Sequence, residues 1–461
     1  MKPITDKGYK LLHHGSIALA EVEANGIRID TDYLDKAIAR ITKKIKILEV
    51  DIKDDDVYKK WKKVYGKNIN MGSRVQLGKI LFTHLGYEST STTVTGKPQV
   101  NETTLKAVGI SFTKKYLKIE KLKNARSTYL EGIRREVVNG FIHPLFNLHL
   151  PQTYRSSSSN PNFQNIPIRD PKMGKLVRQA FIARQDHQLV EIDYKGLEVA
   201  VAACYHKDPR MIKYLENPKL DMHRDMAQQC YMIPEGQVTK EIRFWGKSGF
   251  IFPQFYGDYY VNCAKNMWNA IDIDGLTLED GTGLKQHLSN NGITKLGKSS
   301  YDHSPKKGTF EYHIKEVEDD FWNNRFKIYN RWRKRWWQQY QEKGYFETLT
   351  GFRIDGAYKR NEVINYPVQG SAFHCLLWSL IRLNAKLKKY KMKSKIVGQI
   401  HDSIVGDVYK DEVQDYLSMA HEITTVELPK AWKWIIVPLE VDAEIAPLGG
   451  SWHQKEKIKI G

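Results

Sequence analysis

Cysteine is scarce in this chain: Cys204, Cys230, Cys263 and Cys375 are four in 461 residues. They form no CxxC pair, so neither a disulfide framework nor a cysteine zinc site is expected. That scarcity suits a reduced, intracellular setting. Long apolar runs are missing too. None approaches the roughly 18 residues a membrane span needs, so no membrane partner is expected. Met1 to Tyr9 lacks the apolar core of a secretory signal, which makes the cytoplasm the expected location. No unit of about 20 to 50 residues recurs, which argues against solenoids and propellers.

Positive charge is abundant. Lys and Arg number 72 against 53 Asp and Glu, a formal net charge of +19. Hydrophobic residues make up 41%, too many for disorder throughout. At about 150 residues per domain, the length suggests roughly three domains or one multi-lobed unit. A cationic excess mixed with 11% aromatics points to a polyphosphate partner, nucleic acid before a membrane surface. A soluble protein with many surface lysines has the same arithmetic.

Tyr33 to Val64 and Phe112 to Val138 have helical spacing and many basic residues, with Asp54, Asp55 and Asp56 as a turn or a solvated face near the end of the first. Ser89 to Lys97 reads as a loop. Gln188 to Asp193 is a strand that ends on an acid, and Ile396 to Val408 reads as a hairpin with His401, Asp402 and Ser403 at its join. Trp434 to Val441 is a further strand candidate. Phe321 to Tyr345 is a helix mixing Trp322, Trp332, Trp336 and Trp337 with arginines and lysines. Asp272 to Lys307 is rich in Gly, Ser and Asn, the composition of a surface insertion with mobile loops.

Asp193 and Asp402 carry the strongest chemical signal. A carboxylate at the end of an apolar run is costly unless cations or hydrogen bonds compensate it. Two such residues on one sheet make an oxygen-ligand site for Mg²⁺. Two metals about 4 Å apart activate a hydroxyl and stabilise a leaving pyrophosphate. By pattern alone, a turn aspartate and a lysine-paired aspartate explain the two residues equally well. Arg243 and Lys247, four apart on one helical face, suit a triphosphate. The aromatics after them, Phe250, Phe252, Phe255 and Tyr256, offer a ring for base stacking, although singly each is more often core. Tyr154 to Pro167 and Asn365 to Gly370 are polar segments whose amides match minor-groove acceptors. Each alone reads more simply as a turn cluster.

In their order along the chain these segments resemble the family A DNA polymerases, the bacterial repair polymerase and phage replicase group. Tyr154 to Arg169 (YRSSSSNPNFQNIPIR) resembles the segment leading into the palm, and Asp193 to Glu198 (DYKGLE) resembles motif A. Asp221-Met222-His223 is similar to a fingers segment, and Arg243 to Gly257 to motif B. Asn365 to Gly370 is similar to the primer-side segment, and Gln399 to Asp402 to motif C. The resemblance covers nearly the whole chain. It implies an α+β right-hand fold with an antiparallel-sheet palm, helical fingers and a helical thumb. Implied boundaries are 1–30 for a junction, 31–150 thumb, 151–225 first palm part, 226–360 fingers and 361–461 second palm part.

The resemblance also implies roles. Asp193 and Asp402 would hold two magnesium ions with the Tyr194 carbonyl. Glu198 would exclude a 2′-hydroxyl. His223, Arg243 and Lys247 would bind the dNTP, with Lys247 a proton donor to pyrophosphate. Tyr256 would lie under the nascent pair. Arg155, Gln164, Asn365, Gln369 and His401, with Lys121 and Arg126 on the thumb, would hold primer-template DNA. Separate exonuclease, helicase or processivity subunits are possible partners.

Three departures sharpen these expectations. Motif C of the family continues His-Asp-Glu, but Ser403 stands here in place of the Glu. The family spaces the motif B Lys and Tyr eight apart, whereas Lys247 and Tyr256 are nine apart. One extra residue rotates Tyr256 by about 100° off the face unless a π-bulge absorbs it. A bulge or kink between Gly249 and Pro253 is therefore expected, with Phe252 as the stacking residue and Ile251 as its competitor. Finally, Met1 to Asp30 resembles only the junction ahead of the thumb, so no intrinsic proofreading is expected. Two other readings remain: a single-subunit RNA polymerase, disfavoured by Glu198, and an inactive polymerase-derived DNA-binding protein, disfavoured by the retained Asp193, Asp402, Arg243 and Lys247.

Overall fold

Alternation along residues 187–194 organises the sheet. Val190, Ile192 and Tyr194 are buried on one face, while Glu191 and Asp193 point to the other. In the computed structural model, which describes residues 1–89, 92–93, 96–168, 170–297 and 304–460, this segment is strand β1, His187–Tyr194. It is joined by β2 (Lys395–Ile400), β3 (Ser403–Tyr409), β4 (Val441–Ile445) and β5 (Glu456–Ile458). The order is β5-β4-β1-β3-β2 and every pairing is antiparallel. The central place thus goes to a strand roughly 200 residues before its neighbours.

The apolar face is covered by helices. Arg360–Lys389 lies against it, and the Tyr194 phenol shares a 2.8 Å hydrogen bond with Ser379 of that helix. Helix Val413–Glu422 packs so closely that a Cβ at Gly406 would sit 2.5 Å from the Tyr416 hydroxyl. Helix Asp6–Asn25 packs on Arg360–Lys389, with Gly15 against Leu377.

A helical lobe follows at residues 31–135. The helical stretch from Tyr33 divides into Thr31–Asp51 and Asp56–Tyr65. The acidic cluster is the division: Asp55 caps the second helix by accepting from the Val57 amide. This lobe has its own small core, built on Ile52, Trp61, Leu81, Phe112, Tyr116 and Ile119. A second helical region, residues 222–343, shares instead the large core of the sheet. Among its tryptophans Trp322 is buried, while Trp332, Trp336 and Trp337 are half-buried.

Two expectations are corrected. The last strand candidate starts late: β4 begins at Val441, and Trp434 to Glu440 forms no strand. Pro438 removes a ladder donor there, and Trp434 stacks on Trp432. The segment from Asp272 to Lys307 is also more ordered than its composition suggests. Leu276, Leu278, Leu284, Leu288 and Ile293 are buried in the main core, and Leu284–Asn290 is a helix. Residues 298–303 of that segment, part of the Ser89 to Lys97 loop, and Arg169 lie outside the described residues. Among the described residues no helix is long and apolar enough to cross a membrane.

Candidate active site

Strand pairing brings the two acids together. Asp193, at the end of β1, is directly opposite Ser403, the first residue of β3. Asp402 lies in the two-residue join between β2 and β3, and its carbonyl accepts from the Tyr194 amide at 3.2 Å. His401 takes a left-handed backbone conformation there, with φ of 48°. Burial, then the negative charges of Glu191 and Asp402, push the Asp193 carboxyl up to about 7. Burial raises Asp402 as well, opposed by Arg155 and His401. This end of the sheet therefore holds uncompensated negative charge. Among the described residues no three His, Cys, Asp or Glu side chains gather as a ready metal cluster. Magnesium, however, keeps waters and takes one or two carboxylates plus substrate phosphates, so this donor set suits a hard cation of that type. The buried Tyr194 phenol is bonded to Ser379, leaving only the backbone of that residue for such a site.

A cavity of about 260 Å³ opens beside Asp402. Arg155, Glu198, Phe252, Tyr256, Asn365, Gln369, His401 and Asp402 line it, so eight residues singled out in sequence converge from five segments. Glu198 forms an ion pair with Arg155 and accepts a hydrogen bond from the Tyr256 hydroxyl. Asn365 Nδ2 donates to the Tyr256 carbonyl at 3.1 Å.

The extra residue in the helix beyond Arg243 is accommodated as its spacing requires. An α-helical turn, Lys240–Trp245, widens into a π turn over Gly246–Ile251 and tightens again at Phe252–Phe255. The widening starts three residues earlier than expected. Pro253 cannot donate to the Gly249 carbonyl four residues back, so a regular α-ladder could not continue. As a result Phe252 lines the cavity, edge-on to Tyr256, while Ile251 is fully buried. Gly246 lets this helix press on Met222–Tyr231: a Cβ there would sit 2.6 Å from the His223 carbonyl.

A basic cluster stands on the same helix. Arg243 Nε donates to Asp221 at 2.6 Å, and its Nη2 is 3.2 Å from His223 Nδ1. Asp221 also caps helix Met222–Tyr231. The Lys247 ammonium lies 5.0 Å from the centre of the Phe252 ring. Burial, then Arg243 and Lys247, push His223 down to about 4. Burial and Arg243 lower Lys247. Crowded cations of this kind await an anion.

Other expected residues sit elsewhere. Gln164 Nε2 donates to Ser156 Oγ and Gln399 Oε1, both at 2.8 Å, and Gln399 Nε2 donates to the His401 carbonyl at 2.6 Å. Gln164 thus braces the join between β2 and β3 from outside the cavity. Lys121 and Arg126 belong to the helical lobe. Lys121 lines a separate groove of about 930 Å³ and is 3.4 Å from both Glu102 and Asp170. Arg126 reaches Thr42 and Glu131 within the lobe. Asp407 is paired with Arg184, away from the acid pair.

Sequence reading gives no role to Asp221, Glu191, Trp452 or Lys455. Glu191 could have been found by strand alternation, since it lies two before Asp193. Trp452 and Lys455 have no local signal, because only folding brings the last residues beneath β1.

Comparison with known proteins agrees with this arrangement. The model of DNA polymerase family A matches residues 38–271 and 310–454. The stretch it leaves out, 272–309, is the Gly-, Ser- and Asn-rich insertion. DNA polymerase I of Bacillus subtilis (strain 168) is 26% identical over 449 residues, 95% of this chain and 44% of that protein. The thermostable DNA polymerase I of Thermus aquaticus is 26% identical over 453 residues, 95% of this chain and 47% of that protein. A DNA polymerase of Bacillus phage SP01 is 26% identical across 87% of this chain and 45% of its own length. The chain thus spans a little under half the length of these curated relatives. The POL domain of Pol1 from M. smegmatis, solved in complex with DNA primer-template and dNTP, superposes with a TM-score of 0.73 at 23% identity. That match covers 96% of this chain and 70% of the other, and gives the right-hand polymerase fold. With the family model matching well over half of its residues, the chain belongs to DNA polymerase family A.

Proposed function

We propose that this chain is a template-directed DNA polymerase that adds dNTPs to a primer 3′ end. The observation that carries the reading is one of opposed charge. Asp402 lines the cavity with Asp193 as its charged neighbour, while Lys247 and His223 stand against Phe252, a ring that lines the same cavity, and Arg243 contacts His223. The relatives' names and the primer-template and dNTP in the solved POL domain support it.

Asp193 and Asp402, with the Tyr194 carbonyl, would hold two magnesium ions, which lower the pKa of a bound hydroxyl and neutralise phosphate charge. Arg243, His223 and Lys247 hold the triphosphate, Arg243 as a fork kept in place by Asp221. The primer 3′-oxygen bonds to the α-phosphorus as the bond to pyrophosphate breaks. The hydroxyl proton leaves to water, and Lys247, already lowered, gives one to pyrophosphate. Glu198, fixed by Arg155 and Tyr256, fills the space a 2′-hydroxyl would need. Phe252 stacks on the incoming base, and Tyr256 lies under the nascent pair. Arg155, Asn365, Gln369 and His401 hold the primer-template end, Gln164 supports them, and Lys121 and Arg126 hold the duplex.

In this reading residues 31–150 are the thumb, 151–225 and 361–461 the palm, and 226–360 the fingers, with 1–30 a junction. The 461 residues extend a primer without excising mismatched ends. A separate exonuclease, helicase or processivity subunit and the cytoplasm of a bacterium or phage-infected host complete the proposal. Asp402→Asn is the direct test: extension is lost while primer-template binding persists. Extension that survives the change overturns the metal assignment.

A further inference from the structure

One buried carboxylate beside the acid pair has no part in these roles. Strand alternation puts Glu191 on the same face of β1 as Asp193, one pleat away, roughly 7 Å along the strand. Its side chain is only 14% exposed. A carboxylate so buried needs donors, and Glu191 has three. Oε2 accepts from the Lys455 ammonium and from Trp452 Nε1 at 3.0 Å. Oε1 accepts from Ser403 Oγ at 3.0 Å.

These donors tie Glu191 to the site rather than away from it. Ser403 faces Asp193 in register and follows Asp402 in sequence. Lys455, 11% exposed, also pairs with Glu444 at 2.6 Å, and Glu444 faces Glu191 in register on β4. The Arg178 guanidinium lies 4.2 Å from the centre of the Trp452 ring. Asp442, opposite Asp193 on β4, is held by Lys195 and Lys457, whereas Glu191 is bonded to Ser403, opposite Asp193 on β3. Both its oxygens are engaged, so it acts behind the cation ligands and not among them.

We propose that Glu191 is a positioning residue of the divalent-cation site, a fixed anion behind Asp193 held by Lys455, Trp452 and Ser403 that raises the affinity for the cation. The inference rests on the polymerase reading of Asp193 and Asp402. It makes the last residues of the chain, through Trp452 and Lys455, part of the cation site.

The test is Mn²⁺ titration of the full chain, read as free Mn²⁺ by electron paramagnetic resonance, with thermal melts alongside. Glu191→Gln keeps the shape and removes the charge. Outer partners of metal ligands are typically worth about 10- to 100-fold in metal affinity, so Mn²⁺ binding is expected to weaken at least about tenfold. Glu191→Asp restores the charge and much of the affinity. Should Glu191→Gln fail to fold, Ser403→Ala cuts the link from Glu191 Oε1 to the residue opposite Asp193, and a smaller loss of Mn²⁺ affinity is expected. Unchanged Mn²⁺ affinity in either folded variant, whatever its melting temperature, reduces Glu191 to a structural ion pair and overturns the proposal. Mn²⁺ binding that is also indifferent to Asp402→Asn overturns the reading of the acid pair itself, and this proposal with it.

Discussion

Two charged regions stand at the candidate active site, and they are assembled in opposite ways. The basic set is local: Arg243 and Lys247 share one helix, and His223 comes from the helix packed against it through Gly246. The acid pair is non-local: Asp193 and Asp402 are joined only by the pairing of β1 with β3. Burial, and like charges after it, strain both, raising Asp193 to about 7 and lowering His223 to about 4. In the proposed function each region takes a ligand of the other sign, a cation at the sheet and a polyphosphate at the helix. A protein stabilised only for itself would pair the two sets with each other. Here Arg243 pairs with Asp221 instead, and Asp402 has the charges of Arg155 and His401 beside it.

The comparison breaks most visibly at the acids. Asp193→Asn removes one of two carboxylates and is expected to lower the single-turnover extension rate by at least about 10³-fold, several kcal/mol of barrier. Its fold should persist, because relief of like-charge repulsion offsets the lost ligand. A melting temperature at or above that of the parent chain is the check. At the helix the effect is smaller. Arg243→Met and Lys247→Met are expected to raise the KM for dNTP by roughly 10- to 100-fold, the weight of one or two charge-assisted hydrogen bonds. Lys247→Met should also lower kcat if it serves as the proton donor. An equal effect of both changes on kcat and none on KM would remove the triphosphate from this helix.

The smallest effect lies outside both regions. His206 and His374 are buried neutral, each pushed by burial from 6.5 down to about 3. Folded pKa values below the unfolded one mean that their contribution is intact above about pH 6.5 and is lost as pH falls toward 3. At pH 5 each costs roughly 2 kcal/mol relative to pH 7. Urea unfolding at both pH values should show that loss, and His374→Asn should recover about half of it. No recovery in His374→Asn would place the acid sensitivity elsewhere.

The difference between the two regions also governs what could be read from sequence. Arg243 and Lys247 are legible from a spacing of four, and the nine-residue step to Tyr256 foretold the π turn at Gly246–Ile251. The acids are legible as the ends of apolar runs, but only the family resemblance pairs them before folding is known. Glu191 escapes because a polar residue inside a strand looks like its solvent face until Lys455 and Trp452 arrive from the last ten residues. The insertion escapes for the opposite reason. Its Gly and Asn residues dominate the composition, while five spaced apolar side chains do the packing. Trp434 to Val441 is rich in strand formers, yet Pro438 delays β4 to Val441.

Primer extension by the chain alone tests the central claim most directly. With a primed DNA template and Mg²⁺, dNTPs should be incorporated in the order the template dictates and NTPs at most weakly, if Glu198, held by Arg155 and Tyr256, has the role proposed for it against a 2′-hydroxyl. Extension with NTPs as readily as with dNTPs, or none with either, would contradict it.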